Sequence, residues 1–303
     1  MSEFLAHHSK LFSCAGRETD YSGKPEIREL FREGMDPERL LLASEFIREH
    51  KGSALLQLPP LRTLEAEAFG AKAKHDALGR RIKEEGSFTL TELERMPLPG
   101  REDPVWGPVL ESIPLAFAAG RKENCLVQFG ASGAFSLAMS LLGAKGLMKA
   151  AVKEKERLHS LLQRLNEWCL SNILFALKEG VPLIFFADAS ADEGVLGKER
   201  FRELVLSYEA KLLDRLEKQP GEHLIYLCGK TTGGLIRYGY LSPAPGPKAG
   251  KAKEAQLWEW IRDPDIRFAG GGCLVQDRPE FGLPLLKGTG KTAEIPWKKA
   301  VSF

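Results

Sequence analysis

The chain alternates between short apolar runs and longer segments in which apolar residues recur at helical spacing. Apolar runs of roughly 4–8 residues predict buried strands, whereas spacings of three and four predict helices packed on a core. The predicted strands are residues 11–15, 53–58, 126–130, 182–187, 222–228, 235–240 and 266–275. The predicted helices are residues 24–32, 37–50, 64–69, 89–96, 106–118, 136–142, 144–179, 198–218 and 254–261. The charged stretch 71–88 predicts a surface hairpin that turns at residues 76–79.

This alternation predicts an α/β fold with a parallel sheet and helical crossovers in one domain, residues 1–303. About seven strands favour a closed or nearly closed (β/α)₈ TIM-type barrel, and an open doubly wound sheet is the alternative. In such a barrel the site lies at the carboxyl ends of the strands. The polar or reactive residues at or just past predicted strand ends are Arg17, Ser132, Asp188, Cys228 and Cys273.

Composition narrows the class of protein. The 303 residues are 43% hydrophobic, which is enough for a large core. Lys and Arg number 43 against 41 Asp and Glu, so the net charge of +2 does not favour a nucleic-acid partner. No apolar run approaches the ~20 residues of a membrane span. The five cysteines are scattered and no export segment is evident at the N-terminus, so we expect a cytoplasmic protein.

Two cysteines are candidate metal ligands. Cys228 and Cys273 end different predicted strands on the same edge of the sheet. Two thiolates would supply two of the ligands of a zinc site. Two unrelated buried thiols fit the sequence equally well, and a reducing compartment disfavours a disulfide. His223 lies five residues before Cys228 and therefore points to the opposite face of the strand. An oxygen ligand from Asp188 or Glu193 is the remaining option.

A Gly-flanked turn links the third predicted strand to a helix at residues 131–135. Such a turn leaves backbone N–H groups free for an anion, which makes Ser132 and Gly133 candidate ligand-binding residues. A tight turn without any ligand fits the pattern equally well. Cys169, on a long apolar helical stripe, is interpreted as core packing.

An ordered set of motifs between residues 35 and 273 resembles the uroporphyrinogen decarboxylase superfamily, in its cobalamin-dependent methyltransferase branch. The acidic helix at residues 64–70 is similar to the one that follows the family's second strand. The stretch 130–142 is similar to a Gly-Pro-Phe-Thr-Leu-Ala turn and helix, and residues 186–188 and 201–208 resemble a strand end and its following helix. CGKTT at residues 228–232 resembles Cys-Gly-Asn-Thr-Thr.

The resemblance implies a distorted barrel, and zinc that activates a thiol to accept a methyl group from a methylcorrinoid. Cys228 and Cys273 match the family's two cysteine ligands, while Tyr226 stands where the family has histidine. Asp188, Tyr226 and Arg17 are accordingly the candidate catalytic residues. Those expected to bind the methylcobalamin or corrinoid co-substrate are Ser132, Gly133, Gly229, Thr231 and Thr232. The expected partners are a corrinoid protein or free cobalamin, a small-molecule methyl acceptor or donor, and a second copy of the chain.

Two other functions remain open. The stretch between Cys228 and Cys273 is short by about one strand and helix relative to the family, so the barrel is expected to lack one β/α unit near the C-terminus. This shortening, together with Tyr226, favours a non-catalytic binding or assembly subunit as the first alternative. Uroporphyrinogen decarboxylation is the second alternative. The resemblance implies that the decarboxylase branch recognises its polycarboxylate substrate with two arginines, and only the second of these, Arg17, is present here.

Overall fold

The computed structural model describes residues 24–31, 34–61, 63–76, 79–83, 86–244, 253–271 and 285–289. The predicted first strand at residues 11–15, with Arg17 beyond it, lies outside this part of the chain. Cys273 lies outside it as well. The predictions for these residues therefore stay predictions.

Strands and helices alternate along most of the described chain. The strands are β1 Leu55–Leu58, β2 Ala73–Asp76, β3 Gly79–Ile82, β4 Leu126–Ser132, β5 Leu183–Ala187, β6 Leu224–Leu227, β7 Leu241–Ala244, β8 Phe268–Gly270 and β9 Leu285–Gly288. The first helices are α1 Pro25–Leu30, α2 Pro37–Lys51, α3 Leu64–Ala68, α4 Leu90–Arg95, α5 Trp106–Glu123, α6 Ala134–Lys153 and α7 Lys155–Lys178. They are followed by α8 Glu193–Leu196, α9 Lys198–Phe201, a π-helical turn Arg202–Leu206, α10 Ser207–Glu217, α11 Gly229–Arg237 and α12 Lys253–Arg262.

Seven of the strands form one mixed sheet in the order β1-β4-β5-β6-β8-β9-β7. The first five run parallel, and β9 and β7 continue the sheet in antiparallel orientation. The parallel strands follow one another in chain order with helices between them, as βαβ crossovers require. The fold is therefore a mixed α/β fold with a mostly parallel sheet. Within the described residues the ladder is an open series, and closure into a barrel stays a prediction.

The sheet is buried on both faces, as parallel sheets are. On one face, Phe129, Phe186 and Leu227 belong to the large core that includes helices α5, α6, α7 and α10. On the other, a smaller core joins strand residues such as Leu224 to Leu257 of α12. Alternation along each strand sends neighbouring side chains into these two cores, so every parallel strand is anchored twice.

Helix boundaries have local causes in the sequence. Asp36 caps α2 through its carboxylate, which accepts the Arg39 N–H at 2.8 Å, and Gly52 ends that helix with a left-handed φ of 58°. Thr89 and Glu92 form a reciprocal capping box at the start of α4. Within α6, Gly143 has a φ of 66°, which breaks the regular helix into two segments.

Most sequence predictions agree with these elements. Five predicted strands coincide with β1, β4, β5, β6 and β8, and the hairpin of β2 and β3 turns where it was expected. The strand predicted at residues 235–240 is wrong, because the first part of that run completes helix α11. Short apolar runs do not separate strand from helix, and here the buried Leu235 and Ile236 lie on a helical face.

One described helix, α6, is long and apolar enough to cross a membrane by length and composition. In its most apolar window 44% is buried inside the protein, and helices in the core of globular proteins meet the same criterion. This is weak evidence for a span, and α6 serves here as part of the main core.

Candidate functional site

A cavity of about 240 Å³ opens at the carboxyl ends of the parallel strands. Its wall combines the ends of β1, β4 and β5 with the turn after β6, the short helix α3 and the first turns of α6. The lining residues are Gln57, Pro59, Glu65, Ala66, Gly130, Ala131, Ser132, Ser136, Leu137, Ser140, Phe185, Ala187, Ala189, Ser190, Cys228 and Gly229. A site at this edge is what the parallel strands predict, because their helical connections leave that end open.

Glu65 is the carboxyl group in the cavity wall. It lies on α3 and is 7% exposed, and one of its oxygens accepts the Ser132 N–H at 2.9 Å. Burial raises the pKa of Glu65, the hydrogen bonds from Ser132 lower it, and the charge of Asp188 raises it further. The net effect is a rise, so Glu65 holds a proton more readily than an exposed glutamate does.

Asp188 lies directly after β5 and caps the first turn of α6. Its carboxylate accepts the Ser136 N–H at 2.7 Å, the Phe135 N–H at 3.3 Å and the Ser136 hydroxyl. Burial raises its pKa to about 6, against the lowering effect of these hydrogen bonds. A Cβ atom at Gly133 would lie 2.1 Å from an Asp188 oxygen, so the turn needs glycine to admit the carboxylate.

Four amide groups at the Gly-flanked turn are engaged within the protein. Ser132 donates its N–H to Glu65, Gly133 donates to the Ala187 carbonyl oxygen at 3.0 Å, and Phe135 and Ser136 donate to Asp188. The tight-turn interpretation describes this geometry, with the protein's own carboxylates in the place of an external anion. Ser132 still lines the cavity, and its role in binding a co-substrate stays a prediction.

Cys228 enters the cavity wall just before helix α11. Its sulfur lies 3.2 Å from the Thr231 hydroxyl oxygen, which also accepts the Asp188 N–H at 3.2 Å. Thr231 therefore links the two residues that end β5 and β6. Burial raises the pKa of Cys228 to about 11, although its hydrogen bonds to Thr231 lower it, so this thiol is protonated at neutral pH.

Thr232 is buried and does not line the cavity. Its hydroxyl oxygen lies 2.9 Å from the Cys228 carbonyl oxygen, to which it donates, and accepts the Gly271 N–H at 3.1 Å. These bonds tie the start of α11 to the end of β8. Gly229 is at the wall itself. The predicted binding role of Thr231, Thr232 and Gly229 thus concerns one wall residue and two residues that support it.

Two buried carboxyl groups near the site, Glu65 and Glu209, were not predicted from the sequence. Glu209 at the start of α10 is 2% exposed, and neither of its carboxyl oxygens bonds a described residue. Burial raises its pKa well above the usual value, the charge of Asp188 adds to this, and the nearby Thr231 hydroxyl lowers it by less. Cys169 is buried as expected, and its thiol donates to the Ser132 carbonyl oxygen at 3.1 Å.

Tyr226 is fully buried in the smaller core, on the same side of β6 as Leu224. Its ring centroid lies 6.1 Å from that of Phe185, which lines the cavity, whereas Tyr226 itself is not in the wall. Tyr226 is thus placed beneath the site, next to one of its wall residues.

The described residues do not fit a zinc site by themselves. Among them, no three His, Cys, Asp or Glu side chains stand close enough to hold a metal ion. Burial raises the pKa of the Cys228 thiol, and the charges of Glu209 and Asp188 raise it further, so the thiol keeps its proton at neutral pH. Cys273 is outside the described residues, so its pairing with Cys228 stays a prediction.

This arrangement is suited to holding and moving a proton beside a small ligand. Two carboxyl groups, Glu65 and Asp188, have pKa values above their usual range, and such values favour general acid and base roles near neutral pH. Of these two groups only Glu65 lines the cavity. Asp188 lies behind Ser136, and its charge raises the pKa of Glu65.

The fold resembles solved structures at low sequence identity. One is a methyltransferase from Methanosarcina mazei, with a TM-score of 0.55 and 19% sequence identity. The alignment covers 72% of this chain and 62% of that chain, so this chain spans less than two thirds of its length. At this identity the likeness shows the fold alone.

No curated protein matches the sequence. The profile of the family described as uroporphyrinogen decarboxylase (URO-D) matches residues 57–240, which is more than half of the chain. The match begins at Gln57 in β1 and ends after α11, so it includes every residue of the cavity wall. The chain therefore belongs to the uroporphyrinogen decarboxylase family.

Proposed function

We propose that the chain transfers a methyl group between a methylcorrinoid and a small thiol bound in the cavity. The observation that carries this proposal is a buried carboxyl group, Glu65, in the wall of a small cavity at the strand ends. The motif around Cys228 and the fold likeness to a methyltransferase support the choice of reaction within the family.

The volume of the cavity indicates which of the two substrates it can enclose. A volume of about 240 Å³ is below the roughly 300–1,000 Å³ of sites that enclose drug-sized ligands. A small thiol fits such a space, whereas a corrin ring or a uroporphyrinogen does not. In the proposal the methylcorrinoid is a second substrate that approaches from the open side, which is also where a corrinoid protein would dock.

Methyl transfer to a thiol must dispose of the thiol proton. The sulfur–carbon bond forms while the cobalt–carbon bond of the donor breaks, and both electrons of the latter bond stay on cobalt. The thiol proton then needs a base within reach. Glu65 is the carboxylate in the wall, and the raised pKa caused by its burial makes it a stronger base than an exposed glutamate. Asp188 helps to raise that pKa through its charge.

Cys228 has a different place in this proposal. Its own thiol is protonated at neutral pH because burial raises the pKa to about 11. It is therefore a wall residue here and not the attacking nucleophile. Separately from this methyl transfer, we propose that Cys228 and Cys273 hold zinc, which metal analysis tests.

A non-catalytic assembly subunit is the second candidate. It is favoured by the protonated Cys228 and by Tyr226 at the position where the family resemblance implies a histidine. Under this alternative the chain binds a methyltransferase partner and turns over no substrate. Decarboxylation of uroporphyrinogen is the weakest of the three, because the cavity formed by the described residues is too small to enclose that substrate.

We also propose that the sheet belongs to a distorted (β/α)₈ barrel with fewer parallel strands than eight. Five parallel strands in chain order and a site at their carboxyl ends support this. The antiparallel β9 and β7 extend the sheet where a regular barrel would add parallel strands.

The test is methyl transfer from methylcobalamin to 2-mercaptoethanol by the purified chain, followed through the absorbance change of the demethylated cobalamin. We expect turnover above the protein-free rate, and a fall of about 10²-fold for Glu65→Gln, the size typical of a lost general base. Glu111→Gln, an exposed acidic residue of α5, is the matched control and should keep the wild-type rate.

Two results would count against the proposal. Absence of turnover by the folded wild-type chain, with and without added zinc, would favour the assembly subunit. Equal rates for wild type and Glu65→Gln would show that Glu65 does not take part in the reaction.

Metal analysis of wild type and Cys228→Ser tests the zinc site separately. If Cys228 is a zinc ligand, we expect stoichiometric zinc in wild type and loss of that zinc in the variant.

A further inference from the structure

The cavity wall carries acidic and neutral groups only. Among the lining residues of the described chain there is no lysine, arginine or histidine, and Glu65 is the one carboxyl group. Its other polar side chains are an amide, four hydroxyls and a thiol. They belong to Gln57, Ser132, Ser136, Ser140, Ser190 and Cys228. A ligand in this space therefore meets a carboxyl group without a compensating cation in the described wall.

Two more carboxyl groups reinforce the acidic character from behind the wall. The carboxylate of Asp188 bonds to Ser136, a wall residue, and its charge raises the pKa values of Glu65, Glu209 and Cys228. Glu209 is buried without a hydrogen bond to a described residue. Burial raises the pKa of each of these carboxyl groups and so disfavours their ionised forms. An added cation would favour ionisation of these groups and would be attracted by it, whereas an added anion would oppose it.

Lys230 follows the wall residue Gly229 in sequence, and its ammonium group already has an acidic partner. Its ammonium group donates to the Ala189 carbonyl oxygen at 3.0 Å and lies 3.4 Å from the carboxylate of Asp192. Ala189 is itself a wall residue, so Lys230 lies at the edge of the cavity beyond the end of β5. There the carboxylate of Asp192 balances its charge, which leaves Glu65 as the acidic side chain of the wall in the described chain.

From this wall we infer that the small thiol bound in the cavity is cationic or neutral, an amino thiol in preference to a thiol that carries a sulfonate or carboxylate. The inference rests on the proposed function for the thiol. It depends separately on the charge of the wall, which applies to any small ligand. An ammonium group near Glu65 would form a charge-assisted hydrogen bond with the ionised carboxylate, whereas a sulfonate would bury a negative charge beside Glu65 without a cationic partner in the described wall.

Three thiols of nearly equal size test the inference. Cysteamine ends in an ammonium group, 2-mercaptoethanol in a hydroxyl, and 2-mercaptoethanesulfonate in an anion. Their dissociation constants for the purified full chain are measured at pH 7 by calorimetry, without a methyl donor. We expect cysteamine to bind at least tenfold more tightly than 2-mercaptoethanesulfonate, with 2-mercaptoethanol between them.

Glu65→Gln supplies the site-specific arm. In this variant the affinity for cysteamine should fall about tenfold, while that for 2-mercaptoethanol stays within about twofold. Glu111→Gln should change neither. A change confined to the cationic probe separates a charge contact from a general loss of structure, because loss of structure would weaken both probes.

The outcomes distinguish the inference from the proposed function. Tightest binding of the sulfonate, no binding of any probe, or an unchanged cysteamine affinity in Glu65→Gln overturns the charge assignment. Cation preference without any methyl transfer upholds the charge assignment and removes the proposed reaction. Methyl transfer with a preference for the sulfonate upholds the reaction and overturns the inference.

Discussion

Replacing Asp188 by asparagine changes the charge behind the cavity while keeping most of the geometry. The Oδ1 atom of Asp188 accepts both the N–H and the hydroxyl of Ser136, and an asparagine carbonyl oxygen is able to do the same. Only the weaker contact from the Phe135 N–H, at 3.3 Å, would face an amide nitrogen. The variant is therefore a test of charge more than of shape.

The pKa of Asp188 determines the size and sign of the effect. A rise from 3.8 to about 6 corresponds to about 3 kcal/mol at about 1.36 kcal/mol per pH unit. Since the pKa is higher in the folded chain than in the unfolded one, the stabilising contribution is complete below about pH 4. It is lost as the pH rises through about 6. Removal of this charge also lowers the pKa values of Glu65 and Glu209, which adds to the effect in the same direction.

Urea unfolding followed by circular dichroism at pH 4, 5, 6, 7 and 8 measures this difference. The free energy of unfolding of Asp188→Asn should gain roughly 2–3 kcal/mol on that of wild type between pH 4 and pH 7. Glu111→Gln, at an exposed position of α5, is the control and should show a difference that is nearly independent of pH. A constant difference for Asp188→Asn, or a gain towards acidic pH, would refute the buried-charge account of this site.

Three further substitutions test the framework of the site. Gly133→Ala places a Cβ 2.1 Å from an oxygen of Asp188, so we expect a loss of about 1–3 kcal/mol and a lower melting temperature. Arg80→Gln breaks the part-buried ion pair between the hairpin and α3. It should speed hydrogen exchange in β2 and β3, whereas Lys74→Gln, at an exposed site on the same hairpin, should not. Arg164→Ala removes three hydrogen bonds to backbone carbonyls at the end of α4 and should cost roughly 2 kcal/mol in urea unfolding. Unchanged stability of Gly133→Ala or Arg164→Ala, or unchanged hydrogen exchange in Arg80→Gln, would contradict the corresponding contact.

The sequence predicts the scaffold well because strand and helix patterns follow burial. β5, with Leu183 and Phe186 in opposite cores, is apolar on both faces and is recognisable as a parallel strand without any structure. The prediction for residues 235–240 is wrong because isoleucine and tyrosine favour strands. Gly234, just before them, permits the close contact of α11 with Phe201, which lies 2.6 Å from a Cβ built at Gly234.

Only some residues of the site can be predicted from the sequence. Asp188 and Cys228 are conspicuous because they end apolar strands. Glu65 and Glu209 lie in helices, where glutamate normally marks the solvent face, so their burial depends on which side of each helix meets the sheet. The signal for Glu65 is the buried apolar pair around it, Leu64 and Ala66, which leaves little exposed surface in so short a helix.

The turn at Ser132 shows a related limit. A glycine-flanked strand-to-helix turn predicts free amides, and the sequence does not indicate which group bonds them. In the folded chain Glu65 and Asp188, which are separated from the turn by many residues, supply the acceptors. Tertiary contacts of this kind convert a candidate anion site into a way of positioning two carboxyl groups.

The most direct test of the central claim is transfer of a labelled methyl group. The purified chain is incubated with methylcobalamin carrying a deuterated methyl group and with 2-mercaptoethanol, and the product is analysed by mass spectrometry. We predict a deuterated methyl thioether formed in multiple turnovers by wild type and reduced about 10²-fold in Glu65→Gln. No labelled thioether above the protein-free control, from a folded chain tested with and without zinc, would contradict the claim.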